Sequence, residues 1–76
     1  MKIEVLGTGC AKCQVLTLHV KEAVAKKGIF AQVEKVEDIM KIMSYGVTST
    51  PALVIDGQVK SSGKLLSTDE IVTLLE

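Results

Sequence analysis

The order of apolar and polar positions divides the chain into short elements with different periods. Residues 2 to 6 read as a strand, in which Ile3, Val5 and Leu6 make a brief apolar run that stops at Gly7-Thr8-Gly9. Two glycines in three residues predict a turn that needs unusual dihedrals or a close approach of backbone. From Cys10 the period becomes helical: Cys13, Leu16, Val20, Ala23 and Val24 follow at intervals of three, four, three and one, one face of a helix. Lys26-Lys27-Gly28 ends it, with cations at the negative helix end and a glycine suited to a left-handed cap. Val15 and Leu18 lie off this stripe, which predicts either a broad buried face or a second helix alongside.

Ile29 to Val36 reads as a second strand, with Ile29, Ala31 and Val33 on one face. Glu37-Asp38 opens a short helix carrying Ile39, Ile42 and Met43, its acidic residues at the positive end, and Tyr45-Gly46 closes it. The apolar run Ala52-Leu53-Val54-Ile55 is a third strand. Asp56-Gly57 is the pair favoured in two-residue hairpin turns, so Gln58 to Ser61 returns as a fourth strand and Ser62-Gly63 ends it. In the last helix Ser67 and Glu70 form a capping box, Leu66 and Ile71 a hydrophobic staple, and Ile71, Leu74 and Leu75 the buried face. The order is β-α-β-α-β-β-α without repeat or linker. The fold class is α/β: a three-layer sandwich with a four-stranded mixed sheet, parallel in its first pair, and helices on both faces.

Composition narrows the function classes. The 76 residues are 47% apolar and 24% charged, which fits one packed domain spanning 1–76 rather than a disordered chain. With one Phe, one Tyr and no Trp, aliphatic residues must build the core. Nine lysines balance nine acidic residues and there is no arginine. A neutral chain with so few rings is a poor partner for nucleic acid, which calls for basic grooves and stacking platforms. No apolar stretch approaches the roughly 18 to 20 residues of a membrane span, and Glu4 interrupts the N-terminal apolar run, unlike a secretory signal. Two cysteines two residues apart are not a disulfide framework of the secreted kind. A cytoplasmic monomer is the expectation.

The remaining chemistry lies in Cys10-Ala11-Lys12-Cys13, at the junction of a glycine-rich turn and a helix start. Free backbone N–H groups and the positive end of the helix dipole stabilise a thiolate there and lower its pKa. Lys12 adds a nearby cation. Cys10, at or near the N-cap, faces those groups and solvent. Cys13 shares the stripe of Leu16 and Val20 and turns inward. One helical turn sets their Cα atoms about 5 to 6 Å apart, within the span of a disulfide. Cys10 is then the thiol that attacks a substrate disulfide, and Cys13 the one that resolves the mixed disulfide. Two other readings stand beside this one. A CxxC pair is also half a zinc site, for which the only other soft donor, His19, lies six residues beyond Cys13 and well around the helix. A metal-binding or metallochaperone module is therefore the alternative function. Inert core cysteines are the blandest reading, and they suit Cys13 better than Cys10.

The motifs in sequence carry a resemblance. Gly7-Thr8-Gly9-Cys10-Ala11-Lys12-Cys13, Tyr45-Gly46-Val47 and the run from Thr48 through Thr50-Pro51 to Asp56-Gly57 resemble the thioredoxin superfamily over the whole chain. Closer still are its small, glutaredoxin-sized redox-active disulfide proteins of prokaryotes. That resemblance implies a thioredoxin-like fold and a protein-disulfide oxidoreductase acting as an electron carrier. It implies a cis bond before Pro51 that shapes the site, and a Thr50 backbone that binds substrate as an added strand. It implies no organic cofactor beyond the redox-active disulfide Cys10–Cys13. The implied partners are disulfide-containing proteins and a flavin-containing, thioredoxin-reductase-like enzyme. Gly9 and Ala11-Lys12 stand where thioredoxin itself has Trp and Gly-Pro. Ser62-Gly63-Lys64 stands near where glutaredoxins carry a Gly-Gly-Asp glutathione motif.

Other positions have plainer expectations. Glu4 stands six residues before Cys10, the spacing at which thioredoxin buries an acid. A solvated carboxylate near a strand start is nevertheless the simpler expectation. Tyr45 should pack near the end of the second helix, and Met40 and Met43 should fill the core. Lys21, Lys26 and Lys27 form a solvated helix face, and His19 a surface position.

Overall fold

A computed structural model of the chain describes residues 1–8 and 11–75. The elements are β1 (Lys2–Leu6), α1 (Ala11–Lys27), β2 (Gln32–Val36), α2 (Ile39–Ser44), β3 (Ala52–Ile55), β4 (Gln58–Ser62) and α3 (Thr68–Leu74). The expectation that the first helix begins at Cys10 lies outside the described residues. The four strands form one mixed sheet in the order β2-β1-β3-β4. β1 and β2 run parallel, while β1–β3 and β3–β4 are antiparallel. This is the expected order and the thioredoxin-like α/β architecture.

Alternation along the strands builds two cores. Ile3, Val5, Leu53 and Ile55 face α1 and α3 and meet Leu16, Val20, Ala23, Ile71 and Leu75. Leu6, Ala52 and Val54 face the other way, with Val36, Ile42 and Val47. Because side chains point to opposite faces at successive residues, central β1 and β3 supply both layers, and all four residues of β3 are buried.

Local signals account for most boundaries. Gly28, at φ 66°, caps α1 in the left-handed region. Asp38 caps α2, its Oδ1 accepting from the Met40 amide at 2.9 Å. Asp56 and Gly57, at φ 50° and 82°, make the two-residue hairpin turn that Asp-Gly favours. The Asp56 carboxylate also accepts from the Lys2 amide at 2.9 Å, tying the turn to β1. The capping box is complete: Ser67 Oγ accepts from the Glu70 amide and Glu70 Oε1 from the Ser67 amide.

Several expectations are corrected. The second strand begins at Gln32 rather than Ile29, because Gln32 pairs with Lys2, where β1 begins. Among the described residues no strand lies beside residues 29–31, though Ile29, Ala31 and Val33 still pack against the α1/α3 core. Val15 and Leu18 are exposed even though α3 packs on α1; Thr17 takes the buried place, bonding back to the Cys13 carbonyl at 2.9 Å. Met40 and Met43 are also exposed, at 75% and 64%. A six-residue helix makes fewer than two turns, and α2 buries only Ile42. His19 is half-buried rather than superficial. Its Nδ1–H donates to the Leu66 carbonyl at 2.7 Å, joining α1 to the segment before α3.

Candidate functional site

The site lies where β1 ends, α1 begins and the segment before β3 turns. Gly7 follows β1, and its amide donates to the Val36 carbonyl at 2.9 Å, extending the ladder by one bond. A Cβ on Gly7 would fall on Cys13 Sγ, and would stand 3.1 Å from Cys13 Cβ and 3.8 Å from Thr50 Cβ. Only a residue without a side chain allows this packing. Of the two reasons for the glycine-rich turn, close approach is the one that applies to Gly7, since its φ is not among the positive values. Gly7 therefore brings together two candidate residues that stand 37 positions apart (50 − 13).

Cys13 lies in the first turn of α1 and is 1% exposed, in keeping with the inward stripe. Cys10 lies outside the described residues, so its expected N-cap position is not part of this geometry. Lys12 is exposed on the first turn of α1. Thr50 is exposed, while Pro51 behind it is buried, and the bond between them is cis. The Pro51 carbonyl accepts from the Gly63 amide at 2.9 Å, closing β4 onto this segment. The structure thus gathers Cys13, Thr50 and Pro51 at one end of the sheet.

Glu4 corrects a further expectation. It is 3% exposed, because β1 is central and position 4 points to the α2 face, opposite Val54. Tyr45 Oη donates to Glu4 Oε1 at 2.7 Å, and Lys41 Nζ stands 3.6 Å from Oε2. Oε2 itself is buried without a hydrogen bond among the described residues. The hydrogen bond to the carboxylate, with burial and the neighbouring charge, raises the Tyr45 phenol above its ordinary pKa, since ionisation would place two anions together. Tyr45 does sit at the end of α2 as expected, but its hydroxyl reaches through to the sheet. Lys41 carried no motif signal; its place one turn before Tyr45 is the only hint that both could reach one acceptor.

Residues 1–76 match a family model described as a thioredoxin domain. A protein named thioredoxin from Methanothermobacter thermautotrophicus is 43% identical over 75 residues, covering 99% of this chain and 97% of the relative. Another thioredoxin, from Methanocaldococcus jannaschii, is 39% identical over 69 residues, covering 91% of this chain and 79% of the relative. The chain belongs to the thioredoxin family, as a small redox protein of the oxidoreductase type.

Proposed function

We propose that residues 1–76 act as one thioredoxin-like unit that reduces disulfides in other proteins through the dithiol of Cys10 and Cys13. The Cys10 thiolate attacks one sulfur of a substrate disulfide, forming a mixed disulfide and releasing the first substrate thiolate, which takes a proton from solvent. Cys13 loses its proton and attacks Cys10 Sγ. The mixed disulfide breaks, the second substrate thiol leaves, and Cys10–Cys13 becomes the disulfide. Two electrons pass from the dithiol to the substrate. Restoring the dithiol takes two electrons and two protons from a flavin-containing reductase of the thioredoxin-reductase kind. The dithiol is itself the redox centre and needs no organic cofactor.

The observation that carries this reading is the buried Cys13 sulfur packed on Gly7 beside Thr50. A sulfur so shielded is kept from outside disulfides, as a resolving cysteine requires. Exposed Thr50, on the cis bond to buried Pro51, offers backbone to an extended substrate segment. Exposed Lys12 contributes a cation that favours the thiolate of Cys10. Among the described residues, no helix is long and apolar enough to cross a membrane; action as a cytoplasmic monomer belongs to the proposal.

A disulfide-reduction assay driven by a small dithiol tests the function. Wild-type protein should accelerate reduction of a disulfide-bonded protein, and Cys10→Ser should abolish the acceleration. Stoichiometric zinc or copper(I) in the purified protein, with no exchange activity, would overturn the proposal in favour of metal binding.

A further inference from the structure

The sheet has two edge strands, and they differ. β4 is blunted: Val59 pairs with Val54 and Ser61 with Leu53, which leaves Lys60 as an extra residue. A bulge that carries a lysine guards an edge against pairing with another chain. β2, at the other edge, pairs with β1 in unbroken register from Gln32 to Val36. Its two charges, Glu34 and Lys35, are of opposite sign. Just before it stands Phe30, the one phenylalanine of the chain, fully exposed beside exposed Met1.

Backbone bonding decides which residues an added strand would meet. The Gln32 amide donates to the Met1 carbonyl, and the Val36 carbonyl accepts from the Gly7 amide, both at 2.9 Å. Residues 32, 34 and 36 therefore turn their backbone toward β1, and alternation turns that of Ala31, Val33 and Lys35 outward. Two copies of β2 related by a two-fold axis run antiparallel, and their hydrogen-bonded pairs join outward residues to outward residues. An axis on Glu34 or on Lys35 sets like charges face to face, which is unfavourable. An axis on Gln32 sets Phe30 against a carboxylate and shortens the ladder. An axis on Val33 sets Val33 against Val33, Ala31 against Lys35, and Gln32 against Glu34. Each Glu34 carboxylate already accepts from Gln32 of its own chain at 2.8 Å and has lone pairs for a second amide. In this register Phe30 falls opposite Val36 of the second copy, where that chain leads into α2 and its exposed Ile39 and Met40.

We propose that the β2 edge receives a second copy of this chain, in an antiparallel two-fold pair with Val33 on the axis and one continuous sheet through both copies. The contact strip is short beside the roughly 1,200 to 2,000 Å² of a standard interface, so the pairing is reversible and dilute chains act singly. Cys13, Thr50 and Pro51 lie outside β2. Each copy thus keeps its own site, and the pairing does not depend on the redox chemistry.

The test is sedimentation velocity on the full chain, kept reduced so that no disulfide links the copies, at concentrations up to about 1 mM. Monomer should pass into dimer as concentration rises. Phe30→Ser removes a side chain that is fully exposed in the single chain, so its fold, checked by amide NMR, should be unchanged. Its dimerisation should be about tenfold weaker, for loss of the apolar area that Phe30 buries on the second copy. In an equal mixture of isotope-labelled and unlabelled chains, intermolecular NOEs should join Ala31 of one copy to Lys35 of the other. A chain that stays monomeric at the highest concentration overturns the proposal. So does a dimer that Phe30→Ser leaves as tight as before, or one whose intermolecular contacts lie at β4 instead of β2.

Discussion

The two faces of the sheet are covered unequally, and the chemistry follows the difference. On one face α1 and α3 lie over Ile3, Val5, Leu53 and Ile55, and the only buried polar side chain that α1 brings there among the described residues is Thr17. On the other, six-residue α2 and Val47 cover Leu6, Ala52 and Val54. There a carboxylate is buried within the sheet itself, held by Tyr45 and paired with Lys41. A face under two helices excludes water and gains stability from apolar area. A face under one short helix leaves room for polar side chains to reach inward from the rim. The thicker face holds the fold, and the thinner one tolerates a buried charge because two partners come with it.

Mutations probe this contrast in order of size. Leu53→Ala on the thick face should cost about 2 to 5 kcal/mol, the usual result of emptying a well-packed core position, as read by urea denaturation. Gly7→Ala, where strand and helix meet, should cost about 1 to 3 kcal/mol from overpacking. It should also depress disulfide reduction, because the new methyl occupies the place of the Cys13 sulfur; full activity in this variant would break the link between Gly7 and the site.

On the thin face, Tyr45→Phe should destabilise less than these, by leaving both Glu4 oxygens without a hydrogen bond among the described residues. The alkaline pH dependence should change with it. The folded-state pKa of Tyr45 is raised above its ordinary 10.0, so its contribution is fully present below that value and is lost as pH rises through the folded pKa. Denaturation between neutral and alkaline pH should show that loss in wild type and lack it in Tyr45→Phe.

The smallest effect is at the edge of the thick face, where Ser67→Ala should cost about 0.5 to 2 kcal/mol. Glu70 is held below its ordinary 4.5 by its bonds with Ser67. That contribution is present above the unfolded pKa and disappears as pH falls through the folded one. Acid denaturation of the Ser67→Ala variant should therefore lack this component.

Much of the thick face was legible in the sequence because its signals are local and periodic. The α1 stripe, the Asp56-Gly57 turn and the Ser67–Glu70 box each depend on residues a few positions apart, and each formed as read. The thin face was not legible in the same way. Glu4 looks like any charged residue near a strand start until β1 becomes the neighbour of both β2 and β3. Its partners lie 37 and 41 positions away (41 − 4 and 45 − 4), so no local pattern announces them. Met40 and Met43 failed as core residues for a related reason: composition marks them apolar, but only the length of α2 decides how many side chains it can bury. At the site, Cys13 and Pro51 were visible as motifs, whereas the role of Gly7 required knowing which sulfur lies against it.

The central claim, that Cys10 attacks and buried Cys13 resolves, is tested most directly by trapping. Cys13→Ser protein mixed with a disulfide-bonded protein substrate should accumulate a mixed disulfide through Cys10, visible as a summed mass that a reductant releases. Cys10→Ser should accumulate none. A covalent complex formed by Cys10→Ser and not by Cys13→Ser would contradict the assignment.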